Sequence, residues 1–226
     1  MIAVTSTLSV IVFLGPSLDS ETARSILPNA DFRPPASRGD IEKAAAENPD
    51  IICLIDGVFF EQCSVGHREI LGALNKGIRF FGASSMGALR ASEMRSFGMQ
   101  GIGQVYALYK DGVLESDDEV AIVCDPFSNR ALSEALVNIR ATLLKAETES
   151  VLTASESRAL LEAAAELYYP ERTYDFLIET AREKKILDGS VLCAFDKWVQ
   201  NGGAADIKKE DAISVLNIVR EAAGGL

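Results

Sequence analysis

The chain has 226 residues, a hydrophobic fraction of 48% and a formal net charge of −11. This length suits one large domain or two small ones, and this apolar content is typical of a globular protein with a buried core. The negative charge argues against sequence-independent binding to nucleic acid, which requires a basic surface to displace counterions. The single histidine, His67, excludes a metal site built from several histidines of one chain.

The thiols and the first apolar run indicate the cellular compartment. The four cysteines are widely spaced: Cys53, Cys63, Cys124 and Cys193. Because they form no C-x-x-C pair, we expect reduced, mostly buried thiols and no zinc site. The run Leu8–Leu14 is too short to span a bilayer and follows no Lys or Arg, which argues against a transmembrane helix or a signal peptide. We therefore expect a cytoplasmic protein with no membrane or nucleic-acid partner, no metal and no cofactor.

Strand-like and helical segments alternate through the N-terminal half. Strands are predicted for the runs SVIVFL, DIICLIDG and IRFFG, and a short one within NADFRPPASRGD. Helices are predicted from Asp19 or Ser20 to Leu27, from Asp40, from GHREIL to Gly77, and from ASSMG to Gly98. This alternation indicates parallel βαβ units. The turns GPS, DGVF and GASSMG therefore share one sheet edge, where open α/β sheets bind ligands.

The later part of the sequence changes to helix formers. After a further predicted strand, EVAIVC, we expect only helices from about residue 129 onward, one of them starting after Thr153 with a capping box to Glu156. The predicted fold class is α/β, with a parallel sheet of βαβ units in the N-terminal half and an all-helical C-terminal half packed on it. The predicted division is an α/β core at residues 1–126 and a helical region at residues 127–226.

The segment GASSMGAL, Gly82–Leu89, places two hydroxyls among small residues. With Ser85 at its centre it fits the small-x-nucleophile-x-small pattern of a sharp strand-to-helix turn, and it is similar to the ASMGA string of Clp-type peptidases. In such a turn the backbone N–H groups of Met86 and Gly87 can hold an oxyanion. The same residues also fit a packing joint, in which Ser84 or Ser85 caps the helix.

A nucleophilic serine requires a base. Lys76 lies at the opposite end of the strand that leads to the serines, out of reach. His67 begins the helix after the DGVF turn, so it can act with Ser85 or face the solvent. Lys110 ends a later helix, where it can act as the base or neutralise the helix C-terminus. These alternatives stay open from the residues alone.

Charged residues flank the same predicted edge. Arg38 can bind a carboxylate or a phosphate, or form a salt bridge within its loop. Asp56 is a binding candidate or a turn aspartate. The acidic run Asp117–Glu119 is expected to be a solvated turn in preference to a magnesium site.

Seven motifs follow one another in an order that resembles the TfuA-like family: GPS, PPASRGD, IDGVF, HREIL, FGASSMGALRASEM, FGMQGIG and DGVLESDDEVAI. The resemblance covers about Val10 to Val123. It implies a partner of YcaO-type proteins, the ATP-dependent enzymes that activate a peptide-backbone amide, in thioamidation of ribosomally produced peptides or of methyl-coenzyme M reductase. It also implies hydrolysis of the C-terminal thiocarboxylate of a ubiquitin-like sulfur carrier.

The resemblance implies a serine-type hydrolase with a Ser–Lys pair. The serine maps onto Ser85 ahead of Ser84, and Lys110 is the choice among lysines of the shared motifs, because Arg68 cannot act as a base at neutral pH. The alternatives are a non-catalytic scaffold that binds the YcaO enzyme and raises its affinity for the peptide, and a general α/β peptidase or esterase. Four residues are expected to contact the substrate or a partner: Arg38, Asp40, Asp56 and Arg90.

Overall fold

The computed structural model describes residues 8–59, 63–125 and 130–224. These residues contain a five-stranded parallel sheet with strand order β2-β1-β3-β4-β5. Its strands are β1 (Val10–Phe13), β2 (Asp31–Arg33), β3 (Ile51–Leu54), β4 (Arg79–Ala83) and β5 (Gln100–Ile102). The predicted α/β class with parallel βαβ units is therefore confirmed.

Ten α-helices lie within the described residues. The first five are α1 (Ser20–Ile26), α2 (Asp40–Ala46), α3 (His67–Asn75), α4 (Met86–Met94) and α5 (Gln104–Lys110). The others are α6 (Leu136–Thr148), α7 (Ala154–Glu166), α8 (Tyr174–Glu183), α9 (Gly189–Trp198) and α10 (Ile207–Ala222). The predicted caps are present, since Asp19 caps α1 and Thr153 forms a capping box with Glu156. Among the described residues, no helix is both long enough and apolar enough to cross a bilayer.

Helices cover both faces of the sheet, so every residue of β1 and β3 is buried. Apolar residues of α2, α3 and α4 pack on one face with Ile11, Ile52 and Phe80. Residues of α1 and α10 pack on the other face with Val12 and Phe81. Alternate strand residues therefore belong to two separate cores, as the period of two in a strand requires.

The last helix belongs to the α/β unit. The chain divides into one compact unit of residues 1–117 and 208–226 and a second unit of residues 118–207. The expected boundary at residues 126 and 127 falls outside the described residues, and the division differs from it because α10 returns to the sheet. Its apolar stripe packs in the same core as β1, β3 and β4 and consists of Ala212, Val215, Leu216 and Val219.

The second unit has its own apolar core, formed between α6, α7, α8 and α9. A fully buried Arg172 binds the side chain of Asp118 at 2.6 Å and the backbone carbonyl oxygens of Ala164 and Leu167. Because each of these bonds satisfies a donor of the guanidinium, the charge is tolerated inside the unit.

The predicted strand EVAIVC is wrong. Glu119 ends a short 3₁₀ turn, Asp117–Glu119, and Cys124 makes one isolated bridge, to Ala131. The expected solvated turn is wrong for Glu119, which is buried and whose two carboxylate oxygens accept hydrogen bonds from Arg140 at 2.9 and 2.7 Å. Asp117, in contrast, is exposed. Instead β5 forms the sheet edge, on a glycine-rich segment with too little apolar content to predict a strand.

The cysteines are free, as expected, but they are not mostly buried. Cys53 is buried in β3, Cys124 is half-buried, and Cys63 and Cys193 are exposed. Burial raises the pKa of the Cys53 thiol, which keeps it protonated and unreactive.

Two glycines bring α4 against the sheet. A Cβ atom on Gly87 would lie 1.8 Å from the carbonyl oxygen of Leu54, and one on Gly82 would lie 2.3 Å from the carbonyl oxygen of Gly87. The start of α4 therefore touches the backbone of β3 and β4 with no side chain between them.

We expect Gly87→Ala to lower the free energy of unfolding by about 3 kcal/mol or more, because its methyl group must displace backbone atoms. Gly72→Ala is the control: it lies in α3, where a Cβ meets nothing of the described chain within 4 Å. That variant should gain about 0.5–1 kcal/mol. Urea denaturation of both variants measures the difference, and equal stabilities would contradict the close contact.

Candidate active site

The connection from β4 to α4 consists of two residues, Ser84 and Ser85. The N–H of Ser85 donates to the carbonyl oxygen of Ala83 at 2.8 Å, and Ser84 has a φ of +67°. This is a γ-turn of the strained, positive-φ kind, centred on Ser84. Non-glycine residues held in this region concentrate at active sites, where the surrounding structure imposes the strain.

Neither serine side chain caps the helix that follows, within the described residues. Ser84 is 0% exposed, and its Oγ is the one buried side-chain polar atom of that part of the chain without a hydrogen-bond partner. Ser85 is the N-cap residue of α4, but its side chain makes no capping hydrogen bond to the described helix. An unsatisfied buried hydroxyl costs about 1–3 kcal/mol, so helix capping does not explain either serine.

The backbone donors beside the turn differ from the expected pair. Gly87 N–H donates to the carbonyl oxygen of Ile55 at 3.2 Å, so it is not available for an oxyanion. The cause is the close contact of α4 with the sheet, which gives this N–H an acceptor at the end of β3. Met86 N–H, at the first position of α4, has no acceptor among the described residues. The expected oxyanion pair is therefore reduced to one backbone donor.

Asp56 braces the loop after β1. Its Oδ2 accepts hydrogen bonds from the N–H groups of Gly15 and Ser17, at 2.8 and 3.2 Å, and its Oδ1 accepts one from Ser17 Oγ at 2.7 Å. The carboxylate is 2% exposed. The structure thus assigns Asp56 to the turn alternative, in which it joins the GPS and DGVF loops.

Arg38 lies on the loop between β2 and α2, and Asp40 is the first residue of α2. Arg38 Nε donates to the carbonyl oxygen of Ser64 at 3.3 Å, and its side chain is exposed. Asp40 accepts from Ser37 N–H at 2.9 Å and pairs with Lys43 at 2.9 Å. Asp40 therefore stabilises the start of α2, whereas Arg38 has an exposed side chain at the carboxyl edge of the sheet.

His67 and Arg90 share one acceptor away from the serines. His67 Nε2 lies 2.8 Å from Glu93 Oε2, and Arg90 Nη1 lies 2.7 Å from the same oxygen. Arg90 Nε also donates to the carbonyl oxygen of Val65 at 2.8 Å. The structure places His67 against Glu93 and uses Arg90 to join α4 to the segment before α3.

Lys110 lies at the wrong end of α4 for the serines. Its carbonyl oxygen accepts a hydrogen bond from Arg95 at 3.3 Å, and Arg95 follows the last residue of α4. The nine residues of α4 span about 13 Å at 1.5 Å per residue. Lys76 is excluded as expected, because its ammonium donates to the carbonyl oxygen of Ala45 at the far end of α2.

A different lysine, Lys208, lies at the carboxyl edge of the sheet, where the strands end and the serine turn begins. The C-terminal end of α10 lies at the start of β4, since the carbonyl oxygen of Ala222 accepts from Arg79 at 2.9 Å. The start of α10 therefore lies at the carboxyl edge. Lys208 is 3% exposed and precedes Ala212 by one helical turn, and Ala212 packs in the same core as Ala83, which precedes Ser84.

Asp211 fixes this first turn of α10. Its Oδ1 accepts from Gln104 N–H at 2.7 Å and its Oδ2 from Val105 N–H at 2.8 Å. Ala83 pairs with Ile102 in the sheet, so Ser84 and Gly103 are the next residues on neighbouring strands. Burial raises the pKa of the Asp211 carboxyl to about 6, against the lowering effect of its two backbone hydrogen bonds.

Sequence reasoning missed both α10 residues, although a signal was present. The apolar stripe of α10 recurs at the helical spacing of three and four residues. Extended towards the start of the helix, it predicts apolar residues where Lys208 and Asp211 stand. Two charged residues on a buried stripe indicate a function. No group of three His, Cys, Asp or Glu residues suited to a metal occurs in the described part of the chain.

We expect Asp56→Ala to destabilise the protein by roughly 2–4 kcal/mol, because it leaves the buried N–H and hydroxyl of Ser17 and the part-buried N–H of Gly15 unpaired. Asp50→Ala is the control, since Asp50 is exposed and accepts one N–H, that of Ser9. It should lose no more than about 1 kcal/mol. Thermal denaturation of the two variants tests the brace, and a milder effect at position 56 than at position 50 would refute it.

A pH dependence follows from Asp211. Because its pKa is raised in the folded chain, the folded state binds more protons than the unfolded state between about pH 4 and pH 6, and the free energy of unfolding falls as pH rises through this window. Asp211→Asn removes this titration, so its stability relative to the parent should improve from pH 4 to pH 7 by up to roughly 3 kcal/mol. Urea denaturation at each pH measures it, and parallel profiles would contradict the assignment.

Comparison with known proteins identifies the family. The family model described as TfuA-like protein matches residues 56–173, just over half of the chain. The matched region contains the serine turn and ends before α10. No protein of curated function matches the chain. The chain belongs to the TfuA-like family.

Proposed function

We propose that this protein binds a thiocarboxylated, ubiquitin-like sulfur carrier and hydrolyses its C-terminal thiocarboxylate, delivering sulfur to a YcaO-type enzyme for peptide-backbone thioamidation. The observation that carries the proposal is the β4–α4 turn, where a strained serine has a buried hydroxyl without a hydrogen-bond partner among the described residues. Membership of the TfuA-like family supports the choice of substrate and partner.

The reaction requires two nucleophiles in turn, the serine oxygen and then water. The serine oxygen attacks the carbonyl carbon of the thiocarboxylate, the carbon–sulfur bond breaks, and hydrosulfide leaves with the proton of the serine. Water then attacks the acyl-serine ester, which releases the carboxylate and restores the hydroxyl. Overall, one thiocarboxylate and one water give one carboxylate, one hydrosulfide and one proton, and the hydrosulfide supplies the sulfur atom of the thioamide.

The turn geometry favours Ser84 over Ser85 as the nucleophile. Ser84 is the apex of the γ-turn, which is the position of the nucleophile in sharp strand-to-helix turns of hydrolases. Ser85 has a negative φ of −115° with a ψ of −123°, and its N–H closes the turn. The sequence alone favoured Ser85 because it is the central residue of ASSMG.

Lys208 is our candidate for the base that takes the proton of the serine. It is buried at the carboxyl edge, on the face of α10 whose next turn packs with Ala83. Buried lysines serve as general bases in other enzymes, in the neutral amine form that accepts a proton. Lys110 has no comparable position, because it lies a helix length from the turn.

Met86 N–H supplies stabilisation for the developing oxyanion. It is the first N–H of α4, where the helix dipole is positive, and it has no acceptor among the described residues. One such donor is worth about 3 kcal/mol in serine hydrolases. A carrier tail entering this edge must be slender, because both serines are buried.

We expect Ser84→Ala to slow thiocarboxylate hydrolysis by about 10³-fold or more, because it removes the nucleophile. Ser85→Ala, one residue away and equally buried, should retain activity within about tenfold, since the turn and its donor remain. Intact mass spectrometry of the carrier follows the exchange of sulfur for oxygen. A larger loss in Ser85→Ala would assign the nucleophile to Ser85.

The base is tested by a neighbouring pair of lysines. Lys208→Met should reduce hydrolysis by at least about 10²-fold, whereas Lys209→Met, at an exposed position, should not.

If both serine variants and Lys208→Met hydrolyse the carrier like the parent and still support thioamidation in a reconstituted mixture, the scaffold alternative replaces the hydrolase. Turnover of simple esters or peptides at the same rate would favour the general hydrolase.

A further inference from the structure

Asp211 caps a helix that is distant in sequence. Its two carboxylate oxygens accept from Gln104 and Val105, which are 107 and 106 residues away. A serine or aspartate at position 103 would cap α5 locally, as most helices are capped. The chain instead has Gly103 there, with no side chain to offer, and takes the acceptor from α10.

Gly103 is shaped to admit this carboxylate. A Cβ atom at position 103 would lie 2.1 Å from Asp211 Cγ and 2.3 and 2.4 Å from its two oxygens. Gly103 also has a φ of +96°, which favours glycine. The glycine and the aspartate together form a contact, here called the 103–211 clasp, that joins the end of β5 to the first turn of α10.

The clasp opposes the stability of the fold in one respect. The carboxyl is 2% exposed, its burial raises its pKa, and the charge of the neighbouring Glu210 raises it further. A buried carboxylate held against such a penalty is a common mark of a functional site.

The clasp also supplies what the apolar contacts of α10 lack. The stripe of α10 consists of alanine, valine and leucine, whose non-directional burial determines which face of the helix is covered but does not by itself specify its position along its axis. Two short hydrogen bonds to fixed N–H groups set that axial position. Lys208 lies three residues before Asp211 on the same side of the helix, so the same hydrogen bonds fix its position.

We propose that Asp211 is a positioning residue for Lys208: the 103–211 clasp holds the first turn of α10 where the amine of Lys208 can serve the β4–α4 turn. The proposal rests on the proposed function in one respect, the role of Lys208 as the base.

The sign of the effect separates positioning from plain electrostatics. A carboxylate three residues from a lysine stabilises the ammonium, so its removal alone would yield more neutral amine and a faster enzyme at neutral pH. Loss of position has the opposite result, because a shift of about 1 Å in a reacting group slows catalysis by roughly 10²-fold. Asp211→Asn, which removes the charge and turns one acceptor into a donor, should therefore lower kcat at least about tenfold with KM changed less than about twofold.

A pair of glycines provides the matched control. Gly98 and Gly103 flank β5 and both have a positive φ, but a Cβ at Gly98 meets nothing of the described chain within 4 Å. Gly103→Ala pushes Asp211 aside and leaves every charge in place, so kcat should fall at least about tenfold below that of Gly98→Ala. In the double variant with Asp211→Ala the obstruction is gone, and the two effects should not add.

Kinetics and spectroscopy together decide the outcome. In full-length protein grown with lysine labelled with ¹³C at Cε, the Lys208 signal is assigned by its loss in Lys208→Met. We expect its titration midpoint to move by at least about 0.5 pH unit in Asp211→Asn and in Gly103→Ala, but not in Gly98→Ala. A faster Asp211→Asn, or a Gly103→Ala equal to Gly98→Ala, overturns the positioning role.

The two proposals fail in distinguishable ways. If the parent protein hydrolyses no thiocarboxylate, the proposed function fails, and the Lys208 signal alone judges the clasp. A signal unmoved in both variants overturns the proposal. Where Gly103→Ala does not fold, the same signal, compared between Asp211→Asn and the parent, decides whether the clasp positions Lys208.

Discussion

The approach of α4 to the end of β3 is the constraint on which the candidate site depends. A helix start can touch strand backbone only where no side chain intervenes, and Gly87 and Gly82 provide that space. The contact gives Gly87 N–H an acceptor in Ile55 and forces the two-residue connection into a strained γ-turn. The unpartnered hydroxyl of Ser84 and the open Met86 N–H lie in this same turn.

The order of elements through α4 could be predicted because each carries a local signal. The strands are apolar runs between turn residues, the helix of α1 has its cap in Asp19, and α3 is closed by Gly77 in the left-handed conformation. The serine turn follows from the same pattern, since a strand that ends in small residues before a helix leaves little choice of geometry.

The missing parts depend on contacts between distant residues. The edge strand β5 has few apolar side chains and is held by its register with β4. The sequence indicates a surface carboxylate at Glu119, but in the fold Arg140 binds it. The sequence also places Lys110 near the serines, but in the fold it lies beside the end of α4. Lys208 is more than a hundred residues from the turn, so proximity in sequence could not select it.

Because α10 packs on the sheet, the α/β unit can be completed only after the last helix has been synthesised. The inner strands β1 and β3 bury residues against a helix that begins at residue 207. During synthesis one apolar face of these strands stays uncovered until the second unit has been made. Contacts at such sequence separation form slowly, so the packing of α10 on the sheet is the step that limits the folding rate.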